Sequence, residues 1–235
     1  MTVRGLATTD LLRVWEVGTA LHPIDRALLL CAVAAPDAEP GALAALSLGE
    51  RDARLLALRE RTFGQRLDAV VNCEQCDAVL EISVTVDALR VAPPDVEPRV
   101  VFDDRELALR RLDSRDLAAV AAIADAASAR DALIARGVVG EAGALSESEQ
   151  AALARRLGEL DPQADLVFDL TCSECAHRFS VPFDIAGFLW GEVSVEARRL
   201  LQEVAALARA FHWSEAEILA MSQKRRRTYL ELADA

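Results

Sequence analysis

The chain has 235 residues, of which 52% are hydrophobic and 27% are charged, and its formal net charge is −12. This length and composition argue against intrinsic disorder, and the acidic balance argues against a surface that binds nucleic acid or anionic lipid throughout. Met1 to Asp10 lacks a basic segment followed by an apolar run, and the longest apolar run, Ala27 to Ala35, is too short to span a bilayer. We therefore expect a soluble protein made in a reducing cytoplasm.

The first region, residues 1–66, is predicted to be helical. Thr9 is positioned to cap a first helix, and Pro23 suits the first turn of a second. Ser47 and Glu50 form a capping box at the start of a longer helix.

Two Cys-x-x-Cys elements follow, one in residues 67–112 and one in residues 161–190. The four cysteines are Cys73, Cys76, Cys172 and Cys175. The two elements superimpose at a constant offset of 99 residues, and so do the alternating apolar positions on either side of them. These positions are Leu67, Ala69, Val71, Leu80, Ile82, Val84 and Val86, which fall on Leu166, Phe168, Leu170, Phe179, Val181, Phe183 and Ile185. The repeat predicts two copies of one strand–CxxC–strand hairpin.

The segment between the two hairpins is of a different kind. Arg99–Phe102 and Glu106–Leu112 are expected to form a further hairpin around Asp103 and Asp104. Residues 113–160 then carry helical periodicity, with a capping box at Ser146 and Glu149, and resemble neither cysteine hairpin. We interpret this helical block as an insertion between the hairpins.

Residues 191–235 are predicted to be helical as well. Ser214 and Glu217 form another capping box, and Ser222 is placed to cap a last helix. Trp213, directly before the capping serine, is expected to act as a hydrophobic staple. The expected fold class is therefore α+β. Two CxxC hairpins form a discontinuous zinc-ribbon-like module among N-terminal, inserted and C-terminal helical blocks.

The four paired cysteines predict one structural zinc ion per chain. Zinc prefers tetrahedral thiolate ligands, and four thiolates leave no open position for catalysis. Asp77 and Ala176 stand where many zinc turns have glycine, so reduced or partly oxidised thiols without metal remain an alternative. His177 is a possible replacement ligand. A thioredoxin-like redox pair fits less well, because each cysteine pair lies between strands.

The other patterns do not indicate catalysis or a small-molecule substrate. The chain has no nucleophile elbow, phosphate loop or dinucleotide fingerprint, and its three histidines, His22, His177 and His212, are far apart. We therefore expect no enzyme. Cys31, on an apolar helix face, is expected to be a buried small hydrophobe.

A basic cluster near the C-terminus is the candidate partner-binding surface, together with Trp213. It consists of Lys224, Arg225, Arg226 and Arg227. Docking on an acidic partner, or on the acidic body of the protein itself, is one interpretation. A helix-turn-helix contact with phosphates is the other, and the acidic balance of the chain disfavours it.

Several motifs together resemble a family of baseplate hub or hub-assembly proteins of the T-even-phage type, found in contractile phages and in phage-tail-like injection systems. The motifs lie at Leu11–Trp15, His22–Leu29, Leu48–Asp52, Leu56–Gly64 and Trp213–Leu219. Many members carry two Cys-x-x-Cys turns flanking a helical segment, as here.

The resemblance implies a structural or chaperone role in building a baseplate. The expected partners are baseplate hub, spike or wedge proteins, with no membrane and no small-molecule substrate. The expected location is the cytoplasm of a bacterium, for a bacterial or phage gene, with retention in the assembled particle left open. The alternative is a zinc-ribbon regulator that binds nucleic acid through the C-terminal basic helix.

Overall fold

A computed structural model describes residues 3–92, 94–103 and 105–233. The protein is α+β and mostly helical. The helices are α1 (Thr8–Gly18), α2 (Pro23–Ala34), α3 (Pro40–Ala44), α4 (Leu48–Phe63), α5 (Ser114–Val120), α6 (Ala126–Gly137), α7 (Glu147–Leu160), α8 (Ile185–Phe211), α9 (Glu215–Leu219) and α10 (Gln223–Ala233). The strands are β1 (Arg66–Asn72), β2 (Val79–Thr85), β3 (Arg99–Val101), β4 (Glu106–Ala108), β5 (Val167–Thr171) and β6 (Arg178–Pro182). Short 3-10 turns lie at Val86–Leu89 and Pro162–Ala164.

The described strands form three separate antiparallel hairpins, β1–β2, β3–β4 and β5–β6. The two cysteine hairpins are therefore not joined into one ribbon sheet by strand pairing among the described residues. The predicted turn of β3–β4 contains Asp103, while Asp104 lies outside the described residues. Helix starts follow the predicted caps at Ser47, Ser146 and Ser214, each of which forms a complete capping box. The prediction of a cap at Thr9 was wrong, because α1 begins at Thr8 and its N-cap is Ala7, two residues before Thr9.

The main hydrophobic core lies between α1, α2, α4 and α8. Its fully buried members include Leu30, Leu55, Leu58 and Leu189. The bases of the two cysteine hairpins pack against this core through a further set of apolar side chains. These are Leu67, Val84, Leu166, Phe168 and Phe183. The hairpins are thus anchored at their bases, and the cysteines lie at their distal ends.

Three smaller hydrophobic clusters surround the main core. One holds the insertion together, where β3–β4 packs on α6 and α7 around Leu107, Ile134 and Leu153. A second joins the distal halves of the cysteine hairpins. The third lies at the end of the chain, where α9 and α10 pack on the last turns of α8 around Leu207 and Ile218. Helix α8 therefore connects the main core to this C-terminal cluster.

Asp116 is the most buried carboxylate of the insertion, with its side chain 1% exposed. It accepts two hydrogen bonds from Arg110, at 2.7 and 2.8 Å, one from Arg136 at 2.8 Å and one from the N–H of Asp113 at 3.0 Å. Burial by itself would raise the pKa of Asp116. The hydrogen bonds from Arg110, Asp113 and Arg136 outweigh burial and lower the pKa from 3.8 to about 2.

Asp116→Asn is expected to lower the free energy of unfolding by about 2 kcal/mol near neutral pH, because charge-assisted hydrogen bonds from two arginines are weakened. A lowered carboxyl pKa stabilises the fold above the unfolded-state value and loses that effect as the pH falls. The difference between the two proteins should therefore be constant above about pH 4 and shrink between pH 3.8 and about 2. Urea unfolding across this range measures it. A difference that does not change with pH would contradict the assignment.

Candidate metal centre

The two cysteine hairpins have the same backbone register, displaced by 99 residues. In the first, Ala69 pairs with Ile82 and Val71 with Leu80. In the second, the equivalent pairs are Phe168 with Val181 and Leu170 with Phe179. The predicted repeat is therefore a structural repeat.

Both cysteine turns are closed by the same two backbone hydrogen bonds. The N–H of Cys73 donates to the carbonyl of Ala78 at 2.9 Å, as the N–H of Cys172 does to His177 at 2.9 Å. The second bond of each turn runs from residue 77 or 176 back to the first cysteine, at 2.9 and 3.0 Å. Each turn therefore projects its two sulfurs to one side of the hairpin.

The residue after each second cysteine has a left-handed backbone. The φ angle is 58° at Asp77 and 57° at Ala176. Aspartate accepts this conformation more readily than alanine, which has no polar side chain to bond its own backbone. The absence of glycine at these two positions therefore does not prevent the turn.

Ala176→Gly is expected to stabilise the second turn by about 1 kcal/mol, because glycine adopts the left-handed conformation without steric cost. Ala176 is exposed, so little packing is lost. Urea unfolding measures the gain. Ala151→Gly, at an exposed position within α7, is the matched control and should instead lose about 1 kcal/mol. Equal losses in both variants would contradict the strain assigned to Ala176.

The two turns face each other and bring all four thiols together. The four Sγ atoms lie within 4.8 Å of one another. Cys73 Sγ is 3.7 Å from Cys175 Sγ, and Cys76 Sγ is 3.6 Å from Cys172 Sγ. A disulfide would need about 2.05 Å, whereas sulfurs held 2.3 Å from one zinc ion at tetrahedral corners are about 3.8 Å apart. The thiol positions fit a tetrahedral metal ion, and the four cysteines can bind one.

Backbone N–H groups point at the sulfurs, as a thiolate centre requires. Cys76 Sγ accepts from the N–H of Ala78, and Cys175 Sγ accepts from the N–H of His177, at matching positions of the repeat. The N–H of Cys175 donates to Cys172. Together with the N–H of Glu174 it lowers the pKa of Cys172 to about 7, although burial acts in the opposite direction. The N–H groups of Ala78 and His177 likewise favour charged sulfurs at Cys76 and Cys175. Neighbouring thiols and burial outweigh them there, raising the pKa of Cys76 to about 12 and that of Cys175 above its usual value.

The centre is partly shielded from solvent by a small apolar cluster. Cys73 and Cys172 are each 2% exposed, Cys175 is half-buried and Cys76 is exposed. The apolar side chains packed around them come from both hairpins. They are Ala78, Leu80, Leu170, Phe179 and Val181. One face of the centre is thus enclosed and the other is open to solvent.

The remaining candidate ligands and thiols lie apart from this centre. The His177 ring stacks on Phe179, with the ring centroids 5.8 Å apart, and it is not in the four-residue cluster. Cys31 lies in the main core, 2% exposed, and burial raises the pKa of its thiol to about 12. The prediction of a buried small hydrophobe at Cys31 is confirmed.

The predicted partner-binding residues at the C-terminus are not equally accessible. Arg226 is 2% exposed and donates to Glu203 of α8 at 2.9 Å and to the carbonyl of Met221 at 2.7 Å. Glu203 also accepts from Arg199. The run of four basic residues in the sequence does not indicate that one of them is buried.

The other members of that surface are the three remaining cations, which are exposed, and Trp213, which is half-buried. Lys224, Arg225 and Arg227 are exposed, and the Arg225 guanidinium lies 5.6 Å from the centre of the Tyr229 ring. Trp213 stacks on Phe211 with centroids 4.6 Å apart, and it also packs edge-on against Tyr229. The tryptophan therefore belongs to an aromatic cluster that includes α10, in addition to lying beside the short helix α9.

Comparison of the chain with protein-family models, curated proteins and solved structures finds no match. Among the described residues, no helix combines the length and the apolar character needed to cross a bilayer.

Proposed function

We propose that this protein is a non-enzymatic component or hub assembly factor of the baseplate of a contractile phage tail or phage-tail-like injection system, stabilised by a structural zinc ion. The observation that carries the proposal is the four-thiol cluster. It joins two hairpins that are far apart in the chain and that enclose the helical insertion between them. A clamp at this point would fix how the helical blocks are presented to partner subunits.

Zinc is the proposed metal because four thiolates at tetrahedral spacing suit zinc and iron–sulfur chemistry, and zinc is the usual occupant of two facing Cys-x-x-Cys turns. Cys73, Cys76, Cys172 and Cys175 would be its ligands. A zinc ion held by four thiolates contributes binding energy to the folded state and leaves no position for a substrate. The backbone N–H groups of the two turns orient the sulfurs and stabilise their negative charge.

The proposal assigns no catalytic residue. The strongly buried charges of the described chain have structural partners, as at Asp116 with Arg110 and Arg136, and at Arg226 with Glu203. Such pairs hold helices together. They support a scaffold whose function lies in its surfaces.

The proposed partners are hub, spike or wedge proteins, and the candidate contact surface comprises Trp213, Lys224, Arg225 and Arg227. Aromatic and arginine side chains are enriched at protein interfaces, and the exposed Arg225 lines one surface pocket together with the half-buried Trp213, which supports this choice. Arg226 would act indirectly, by holding α10 on α8. The protein would be made in the bacterial cytoplasm, where tails assemble.

Deletion of the gene in the strain that encodes the complete system tests the proposal. The expected result is a loss of contractile particles in electron micrographs, with tubes or sheaths left unassembled, and recovery on complementation. A tagged copy should co-purify with hub, spike or wedge proteins identified by mass spectrometry. Normal yields of intact particles from the deletion strain, with no tail protein bound to the tagged copy, would contradict it.

The alternative, a zinc-ribbon regulator that binds nucleic acid, is tested by the same protein. It requires duplex binding that weakens steeply with salt and is lost when Lys224, Arg225 and Arg227 become alanine. The burial of Arg226 leaves only three of the four cations available for phosphates, which disfavours this alternative.

A further inference from the structure

The first and second cysteines of each turn differ in their exposure to solvent. The two short sulfur–sulfur contacts both cross between the hairpins, from Cys73 to Cys175 at 3.7 Å and from Cys76 to Cys172 at 3.6 Å. All four sulfurs, including the two pairs within the turns, lie within 4.8 Å of one another.

Each crossing pair also combines one buried sulfur with one more accessible sulfur. Cys73 and Cys172 are 2% exposed, while Cys76 is exposed and Cys175 is half-buried. An oxidant in solution therefore reaches Cys76 and Cys175 first. Each of these thiols is in direct contact with the buried cysteine of the opposite hairpin.

We propose that the cluster is an oxidation site whose products are two disulfides between the hairpins, Cys76–Cys172 and Cys73–Cys175, formed with release of the metal. This inference rests on the proposed metal clamp for its starting state. Oxidation would then replace one connection between the hairpins by another and would leave the hairpins joined.

The chemistry balances with a peroxide as the oxidant. The Cys76 thiolate attacks one peroxide oxygen of hydrogen peroxide, the O–O bond breaks, and a sulfenic acid and hydroxide form. The Cys172 thiolate then attacks the Cys76 sulfur, the S–O bond breaks, and a second hydroxide leaves as the disulfide forms. The same two steps join Cys175 to Cys73. Two peroxide molecules are reduced, four thiolates are oxidised, and one divalent ion loses all its ligands.

The two possible kinds of disulfide have opposite structural consequences. Disulfides within each turn would leave no covalent link between the hairpins once the metal leaves, and only the apolar cluster would still join them. The crossing disulfides join cysteines 102 and 96 residues apart, so they constrain nearly half of the chain. A particle assembled in a reducing cytoplasm and released into oxidising surroundings would keep its clamp in this way.

The disulfide pairing can be determined by proteolysis, because the sequence has a glutamate between the two cysteines of each turn. Glutamate-specific proteolysis cuts after Glu74, between the first two cysteines, and after Glu174, between the second two. The four cysteines then lie in separate peptides. These span residues 61–74, 75–81, 160–174 and 175–192.

The experiment treats the purified full chain with increasing hydrogen peroxide, follows metal release with a chromophoric chelator, and maps disulfides without reduction. We expect peptide 61–74 linked to 175–192 and peptide 75–81 linked to 160–174. One metal ion should leave for every two disulfides formed. Cys31→Ala is the matched control and should give the same pairs, because Cys31 lies in the main core.

Links within a turn, links between Cys73 and Cys172, or oxidation to sulfinic acid without disulfides would each overturn the proposal. Cys76→Ser provides a second test, since the Cys73–Cys175 link should still form in that variant. Metal content is measured before oxidation. Protein that carries no metal yet forms the crossing disulfides would contradict the metal clamp while supporting the pairing, so the two failures are distinguishable.

Discussion

Replacing Cys172 with serine is expected to release the metal and to loosen both hairpin tips while the main helical core stays folded. Zinc sites of this type are worth roughly 10–16 kcal/mol shared by four ligands, so loss of one thiolate should weaken zinc binding about a hundredfold or more. Cys172 also belongs to the small apolar cluster that joins the hairpins. Both hairpins should therefore respond, although only one is changed.

Hydrogen exchange measured by mass spectrometry locates this effect. Amides of β2 and β6 should exchange faster in Cys172→Ser, whereas amides of α2 and α4 should keep their protection, because they lie in a separate core. Cys31→Ala is the control for removal of a buried thiol. It should keep its metal and alter exchange only in the main core. Exchange that increases equally in every helix would show that the metal supports the whole fold, contrary to this account.

Replacing Arg226 with methionine is expected to detach the C-terminal helices from α8, at a cost of about 3 kcal/mol. The guanidinium is buried against Glu203 and the carbonyl of Met221, and methionine can fill the space without replacing either hydrogen bond. Glu203 would keep Arg199 as a partner, which limits the cost.

Helices α9 and α10 pack on α8 in a small cluster that is separate from the main core, so the damage should be local. An opening made about 3 kcal/mol easier raises the open population roughly a hundredfold, and amide exchange in α10 should accelerate by that factor. Arg227→Met changes the neighbouring exposed arginine and should cost less than about 0.5 kcal/mol. Equal effects of the two substitutions would contradict the internal role of Arg226.

Much of the local structure can be predicted from the sequence because it depends on short-range chemistry. Serine followed three residues later by glutamate forms a complete capping box at Ser47, Ser146 and Ser214. The repeat at a fixed offset predicts the second hairpin from the first, since equal alternation gives equal register. The clustering of the four cysteines follows from the same repeat and from the preference of metals for such ligands.

The remaining features depend on contacts between distant segments. The strand predicted to reach Leu112 ends at Ala108, because Leu109 instead forms an isolated bridge with Val138 beyond α6. In the part of the chain that the structure describes, the hairpins meet through cysteines and apolar side chains, without the strand pairing of a continuous ribbon. Neither the end of the strand at Ala108 nor the way in which the hairpins meet can be predicted from the periodicity of one segment.

The burial of Arg226 shows the same limit at the C-terminus. Its neighbours Arg225 and Arg227 have the same side chain, and only the position of α10 on α8 determines which arginine faces Glu203. The four basic residues predicted to form one surface therefore comprise one buried cation, Arg226, and three exposed cations. The candidate contact surface is smaller than the sequence indicates.

The central claim is that one metal ion clamps the two hairpins through their four cysteines. The most direct test is the metal content of the tag-free purified protein, measured by native mass spectrometry together with elemental analysis. The account predicts one zinc ion per chain, lost in Cys172→Ser and kept in Cys31→Ala. Protein that is free of metal and fully folded, with both hairpins protected from exchange, would contradict it.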